Sequence, residues 1–163
     1  KEYIEFISGL RDTVYRLARS IITDDAEAED IVQDVFERVW RARDTVLRSD
    51  HPKAYVCRIT HNLAIDRLRQ RQRERNISID PPNMMDGDRE TDISDIATLT
   101  REIIASLPPK QQLIIHMRDV EGYEFEEIAR TIESDETSVR VNLSRARKRV
   151  KEQLLNAIKY GLE

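Results

Sequence analysis

The chain has little of what most extracellular, membrane or catalytic proteins are built from. There is one cysteine, Cys57, in 163 residues, which excludes an internal disulfide framework and points to a reducing compartment. No apolar run approaches the roughly 20 residues needed to span a membrane, and no signal peptide precedes the first predicted helix, so the cytoplasm is the expected location. Glycines number four and aromatic residues make up 6%; with β-branched residues falling at helical spacing more often than in alternation, sheet is not expected. His51, His61 and His116 are scattered, Cys57 has no partner at metal-ligand spacing, and neither a glycine-rich phosphate loop nor a nucleophile elbow occurs. No metal, cofactor, small-molecule substrate or catalytic residue is expected, and the chain does not read as an enzyme. Cys57, within an apolar helical stretch, reads as packing, and His61 as structural.

What the chain does have is charge, 36% of its residues, with a formal net charge of −4. The two signs are segregated. Residues 24–37 hold seven acids and no base, residues 67–75 hold five arginines against Glu74, and residues 140–151 hold six cations and no acid. The overall pI therefore hides an acidic face and two basic ones.

The last basic run lies on the second of two short predicted helices. Phe125, Ile128, Ala129 and Ile132 give the first a buried stripe; Val139, Leu143, Ala146 and Val150 do the same for the second. Small Ala129 allows a close crossing, and Ser134 or Asp135 can cap the second helix. This is helix-turn-helix grammar, and the cations would attract a phosphate backbone. Glu133 stands in the turn where such motifs often place glycine, so the turn is either strained or differently shaped.

Upstream, Phe6, Leu10, Val14, Leu17 and Ile21 form a helical stripe that ends near Thr23. Asp24 or Asp25 can cap a second helix whose apolar stripe is Ile31, Val32, Val35, Phe36, Val39 and Trp40, with Gln33, Asp34 and Glu37 toward the other side. A break at Ser49-Asp50-His51-Pro52 starts a third helix bearing Tyr55, Val56, Ile59, Leu63 and Leu68. Residues 76–97 then carry six acids, one base, two prolines and a glycine, and read as a flexible linker. Leu99, Ile103, Ile104 and Leu107, then Leu113, Ile114, Met117 and Val120, pack beneath the helix-turn-helix. The expected fold is all-α: two small helical bundles, residues 1–76 and 98–163, joined by an acidic flexible linker at residues 77–97, with the helix-turn-helix in the second.

Three stretches in this order, AEDIVQDVFERVW, PKAYVCRITHNLAIDRLR and SLPPKQQLIIHMRDVEGYEFEEIA followed by the basic helix, resemble the extracytoplasmic-function (ECF) sigma factors of bacterial RNA polymerase. The resemblance covers nearly the whole chain. The PKAY start of the third helix is similar to the branch linked to iron-uptake regulators. The resemblance implies a protein that docks on core RNA polymerase and directs transcription initiation at two promoter elements. It implies that the polar side of the second helix, Asp30, Gln33, Asp34 and Glu37, grips the β′ coiled coil, with the β subunit as a further partner. Residues 47–53 and the third helix would capture an unpaired base of the −10 element, with Asn62 near the base pocket and Arg58, Arg67 and Arg69 on the backbone. Asn62 could equally face solvent, and Tyr55 fits the core better than a stacking platform.

In the second bundle Arg140, Ser144, Arg145, Arg147 and Lys148 match positions that meet the −35 element. Val141 and Asn142 replace residues that are more often small-polar and basic there, and Asn142 could read adenine or nothing. The acidic linker is implied to thread toward the RNA exit path, and an anti-sigma factor tied to the membrane is implied as inhibitor. The alternative reading is a dimeric helix-turn-helix regulator that binds palindromic duplex DNA without polymerase. The second basic surface beside an acidic docking helix favours the sigma reading, since a dimeric regulator needs neither.

Overall fold

The computed structural model describes residues 2–22, 24–77 and 93–161, and all regular structure among them is helical. The first half holds α1 (Glu2–Ile21), α2 (Asp25–Arg41), α3 (Arg43–Arg48) and α4 (Pro52–Ile77). The second holds α5 (Ile93–Ala105), α6 (Pro109–Ile115), a π-helical turn (His116–Val120), α7 (Phe125–Thr131) and α8 (Glu136–Gly161). Residues 78–92 of the expected linker lie outside the described residues, while residues 93–97 belong to α5.

Local chemistry explains most of the boundaries. The Asp24 carboxylate accepts from Ala26 N at 2.8 Å and Glu27 N at 3.4 Å, capping α2. Pro52 opens α4 and Pro109 opens α6, where the missing N–H costs nothing. Asp135 caps α8 by accepting from Ser138 N at 2.6 Å. A capping box of Glu124 and Glu127 opens α7. Helix α3 was not expected: Ala42 ends α2 and starts α3 with only one residue between them.

The predicted stripes are the core. Leu10, Val14, Leu17 and Ile21 of α1 and Ile31, Val32, Val35 and Val39 of α2 are buried, as are Ile128, Ala129, Val139, Leu143 and Ala146 of the helix-turn-helix. Trp40 departs from this, being 51% exposed at the end of α2, edge-on to Tyr3 and under the Arg43 guanidinium at 4.2 Å. Val120 is exposed as well.

The two helical bundles are present as expected, and they pack on each other: one continuous hydrophobic cluster runs through both, with α4 packed on α6 and α7, and α1 on α5. The reason lies in α4, which buries Ala54, Val56, Cys57, Thr60, His61 and Ala64 and so has more than one inward side. Polar links cross the same seam. His61 Nε2 lies 3.1 Å from Gln112 Oε1, Arg58 donates to the Thr131 carbonyl at 2.8 Å, and Arg130 pairs with Asp50 at 2.9 Å. Arg16 of α1 reaches Glu121 at 2.9 Å, and His116 approaches the same carboxylate at 3.3 Å. Burial alone would raise the Glu121 pKa, but the neighbouring His116 ring and Arg16 guanidinium outweigh it and the pKa is lowered.

The turn before α8 is strained as its sequence suggests: Glu133 has φ 56°, in the left-handed region. Its side chain is 80% exposed and only 3.8 Å from Arg58, a contact that contributes little. Glu133→Gly is expected to stabilise the chain by about 1 kcal/mol and raise its Tm by roughly 2–4 °C. A thermal melt showing no rise would contradict strain at this position.

Candidate nucleic-acid interface

Helix α2 presents its acids outward while its opposite side fills the core. Gln33, Asp30 and Glu37 are exposed and Asp34 is half-buried. Asp30 and Asp34 are not free carboxylates, because packing of α2 on α4 brings Arg67 to 2.6 Å from Asp34 and 3.5 Å from Asp30. One turn further on, Arg71 pairs with Glu27 at 2.8 Å and Asp24 at 3.7 Å. The acidic and basic runs of the first half, read from sequence as separate surfaces, are thus partly mated. Glu37 pairs with Arg41 along its own helix.

On α4, Asn62 and Arg69 are exposed and free of the seam, whereas Arg58 is half-buried with its guanidinium on the helix-turn-helix turn. The candidate backbone contacts are therefore not one array: Arg69 faces solvent, Arg67 faces α2, and Arg58 faces α7. Tyr55 is half-buried and packs against the core, as expected. Cys57 is buried with Sγ 3.7 Å from the Tyr123 hydroxyl, and burial pushes its thiol up to about 12, which makes it an unreactive packing residue. His61 is buried too, and desolvation pulls its pKa down to about 4.

Helix α8 shows two opposed sides. At about 100° per residue, Val139, Leu143, Ala146 and Val150 share the inward side, and Thr137, Val141, Ser144, Arg145 and Lys148 share the outward one. All five of the latter are exposed. Arg140 stands at the flank with its guanidinium 4.3 Å above the Phe125 ring, which fixes its direction. Asn142 turns its amide back onto its own helix, donating to the Ser138 carbonyl at 2.9 Å, so its donor group is already engaged. Arg147 lies apart from the outward stripe. It makes a two-point pair with Asp119, with Nε to Oδ2 at 2.9 Å and a second bond from Nη2 to Oδ1, and the Asp119 bond raises its pKa. That pair stands on the rim of a groove of about 1060 Å³ between α1, α5 and α8, walled by Ile104, Val120, Val150, Leu154 and Ile158. No cluster of three or more His, Cys, Asp or Glu side chains suited to a metal occurs among the described residues.

Comparison with known proteins gives this arrangement its context. Residues 6–74 match the family described as Sigma-70 region 2, and residues 98–150 match Sigma-70, region 4. The ECF RNA polymerase sigma factor SigE of Mycolicibacterium smegmatis is 28% identical over 162 residues, with 92% of this chain covering 60% of that protein. The RNA polymerase sigma-E factor of Streptomyces coelicolor is 26% identical over 94% of this chain and 86% of its own length. RNA polymerase sigma factor SigV of Bacillus subtilis is 28% identical over 91% and 88%. Among solved structures, the sigma factor RpoE of Bartonella quintana, in complex with the anti-sigma factor NepR, shares the fold with a TM-score of 0.71 at 22% identity, covering 94% of this chain and 97% of that one. Matches to regions 2 and 4, in this order along an all-helical chain, together with these relatives, place the chain in the sigma-70 family of RNA polymerase sigma factors, among those of the extracytoplasmic-function kind.

Proposed function

We propose that the chain docks on core RNA polymerase through the outward side of α2 and directs it to promoters by reading two DNA elements. The first bundle, through α4, acts as the docking and −10 unit, the second, from α5 onward, as the −35 unit, and the chain between α4 and α5 as the tether. Asp30, Gln33, Asp34 and Glu37 form the contact with the β′ coiled coil. Asn62 and Arg69, with Arg58 and Arg67 once released from their partners, meet the unpaired −10 strand. Arg140, Ser144, Arg145 and Lys148 enter the major groove at −35, and Arg147 lies toward a flanking phosphate. The chain performs no chemistry of its own and acts in the cytoplasm; no helix among the described residues is long and apolar enough to cross a membrane.

The observation that carries this reading is the exposed outward side of α8 with Arg145 and Lys148, in a chain whose first half turns the acids of α2 away from the core. Geometry adds a conformational requirement. Elements at −35 and −10 lie about 25 nucleotides apart, roughly 85 Å of B-form DNA at about 3.4 Å each. A compact chain of 163 residues has a radius of gyration of about 15 Å, so the packed halves cannot reach both. Docking must separate them, and that separation frees Arg58 from the Thr131 carbonyl and Asp50 from Arg130. An anti-sigma factor is the third partner, one that holds the chain away from polymerase, as the RpoE structure with its own anti-sigma factor suggests by analogy.

Footprinting on promoter DNA tests this. The chain alone is expected to protect neither element, and the chain with core polymerase to protect both. Protection of a palindromic duplex by the chain alone would favour a dimeric regulator instead.

A further inference from the structure

We infer that Val141 is a specificity-determining residue that contacts a thymine 5-methyl group in the upstream promoter element. The inference rests on the promoter-binding reading of α8 and goes beyond it to one side chain and one functional group. A single exposed apolar residue ordinarily needs no explanation. Here the position supplies one. Val141 is 42% exposed and lies about 160–200° around α8 from buried Val139 and Leu143, so it occupies the centre of the outward side.

Everything around it is suited to DNA. Thr137, Ser144, Arg145 and Lys148 flank it and are exposed. A helix that served only to attract phosphates would gain nothing from a β-branched apolar side chain at this point, which also lowers helix propensity. Thymine is the one base with an apolar group in the major groove, and its methyl is met by short apolar side chains.

Val141 is short, so the contact requires close approach of the helix to the base edges, and its neighbours permit that. Thr137 and Ser144 are small. Arg140 is drawn aside onto the Phe125 ring at 4.3 Å, and the Asn142 amide is folded back onto the Ser138 carbonyl at 2.9 Å. The centre of the helix face is left to the valine.

The test uses the full chain with core polymerase. Bound −35 sequences are first selected from a randomised duplex; each thymine of the selected site is then replaced singly by deoxyuridine, which removes only the 5-methyl group. Wild type is expected to lose about three- to fivefold in binding at one such position, the worth of one buried methyl. Val141→Ala is expected to be indifferent to the same replacement. Arg145→Ala serves as the reference for −35 reading, with a loss of about tenfold on the selected site. Should selection still yield a −35 site that Arg145→Ala weakens, yet no deoxyuridine replacement matter, or matter equally in Val141→Ala, the thymine contact is overturned and the promoter reading survives. If no −35 preference emerges and Arg145→Ala changes nothing, both fall together.

Discussion

Asp34→Lys is expected to lower affinity for core RNA polymerase by on the order of a hundredfold or more, the scale of about 2–5 kcal/mol found when one member of a close interfacial charge pair is removed. Asp34 sits on the outward side of α2 and is 44% exposed at its side chain, so it can reach a partner without unpacking the core. In the free chain its carboxylate is held by Arg67 at 2.6 Å, which makes Arg67 a competitor for the polymerase's own cation. Arg67→Ala therefore separates two effects: docking should hold or improve, while backbone contact at the −10 element weakens. Neither change threatens the fold, because partly exposed ion pairs contribute about 0–1 kcal/mol. Titration of labelled chain against core polymerase, with a thermal melt on each variant, decides the matter. Unchanged affinity of a folded Asp34→Lys chain would remove α2 from the interface.

Acidification from pH 7 to pH 4 is expected to cost the folded chain about 3 kcal/mol through His61 alone. Burial pulls this imidazole from 6.5 down to about 4, and the hydrogen bond with Gln112 only partly opposes the effect. Between these values the unfolded chain binds a proton that the folded chain does not. The stabilisation is therefore complete above the unfolded pKa and disappears as pH falls through the window toward the folded one, at about 1.4 kcal/mol per unit. His61 lies on the seam between α4 and α6, so separating the halves would relieve the buried charge as well as global unfolding would. Urea titrations at a series of pH values should show wild type losing stability faster than His61→Gln between about pH 6.5 and 4. Glu121, whose pKa is lowered, adds acid loss to both proteins and cancels in the difference. Equal slopes for the two would contradict a buried neutral His61.

The elements and their caps were legible in the sequence because they obey local rules. Of the cap candidates, Asp24 rather than Asp25 caps α2 and Asp135 rather than Ser134 caps α8, Pro52 opens α4, and the spacing of Val139, Leu143 and Ala146 marks the inward side of α8. Glu133 in a glycine position was visible too, and it takes a left-handed φ. What sequence reasoning missed is pairing between distant segments. Asp34 and Arg67 are 33 residues apart, and nothing in either run states that α2 and α4 pack so as to join them. Arg147 matches a family position that meets DNA, and its pairing with Asp119, 28 residues earlier in the chain, is another contact that neither segment states on its own. The packing of the two bundles on each other was not legible for a related reason. Residues of α4 buried from two sides do not repeat as one stripe, and an acidic segment rich in proline suggested independence. The signal that could have revealed it is the run of small or compact residues Ala54, Cys57, Thr60 and Ala64, which allows close approach on a second side of α4.

A sigma factor confers promoter recognition on a polymerase that lacks it. Run-off transcription with purified core RNA polymerase, with and without the chain, on a template carrying the selected −35 site and its downstream −10 element, tests this most directly. A discrete transcript is expected that requires the chain and is lost when either element is scrambled. A chain that is folded and bound to the template, yet yields no transcript beyond that of core alone, would contradict it.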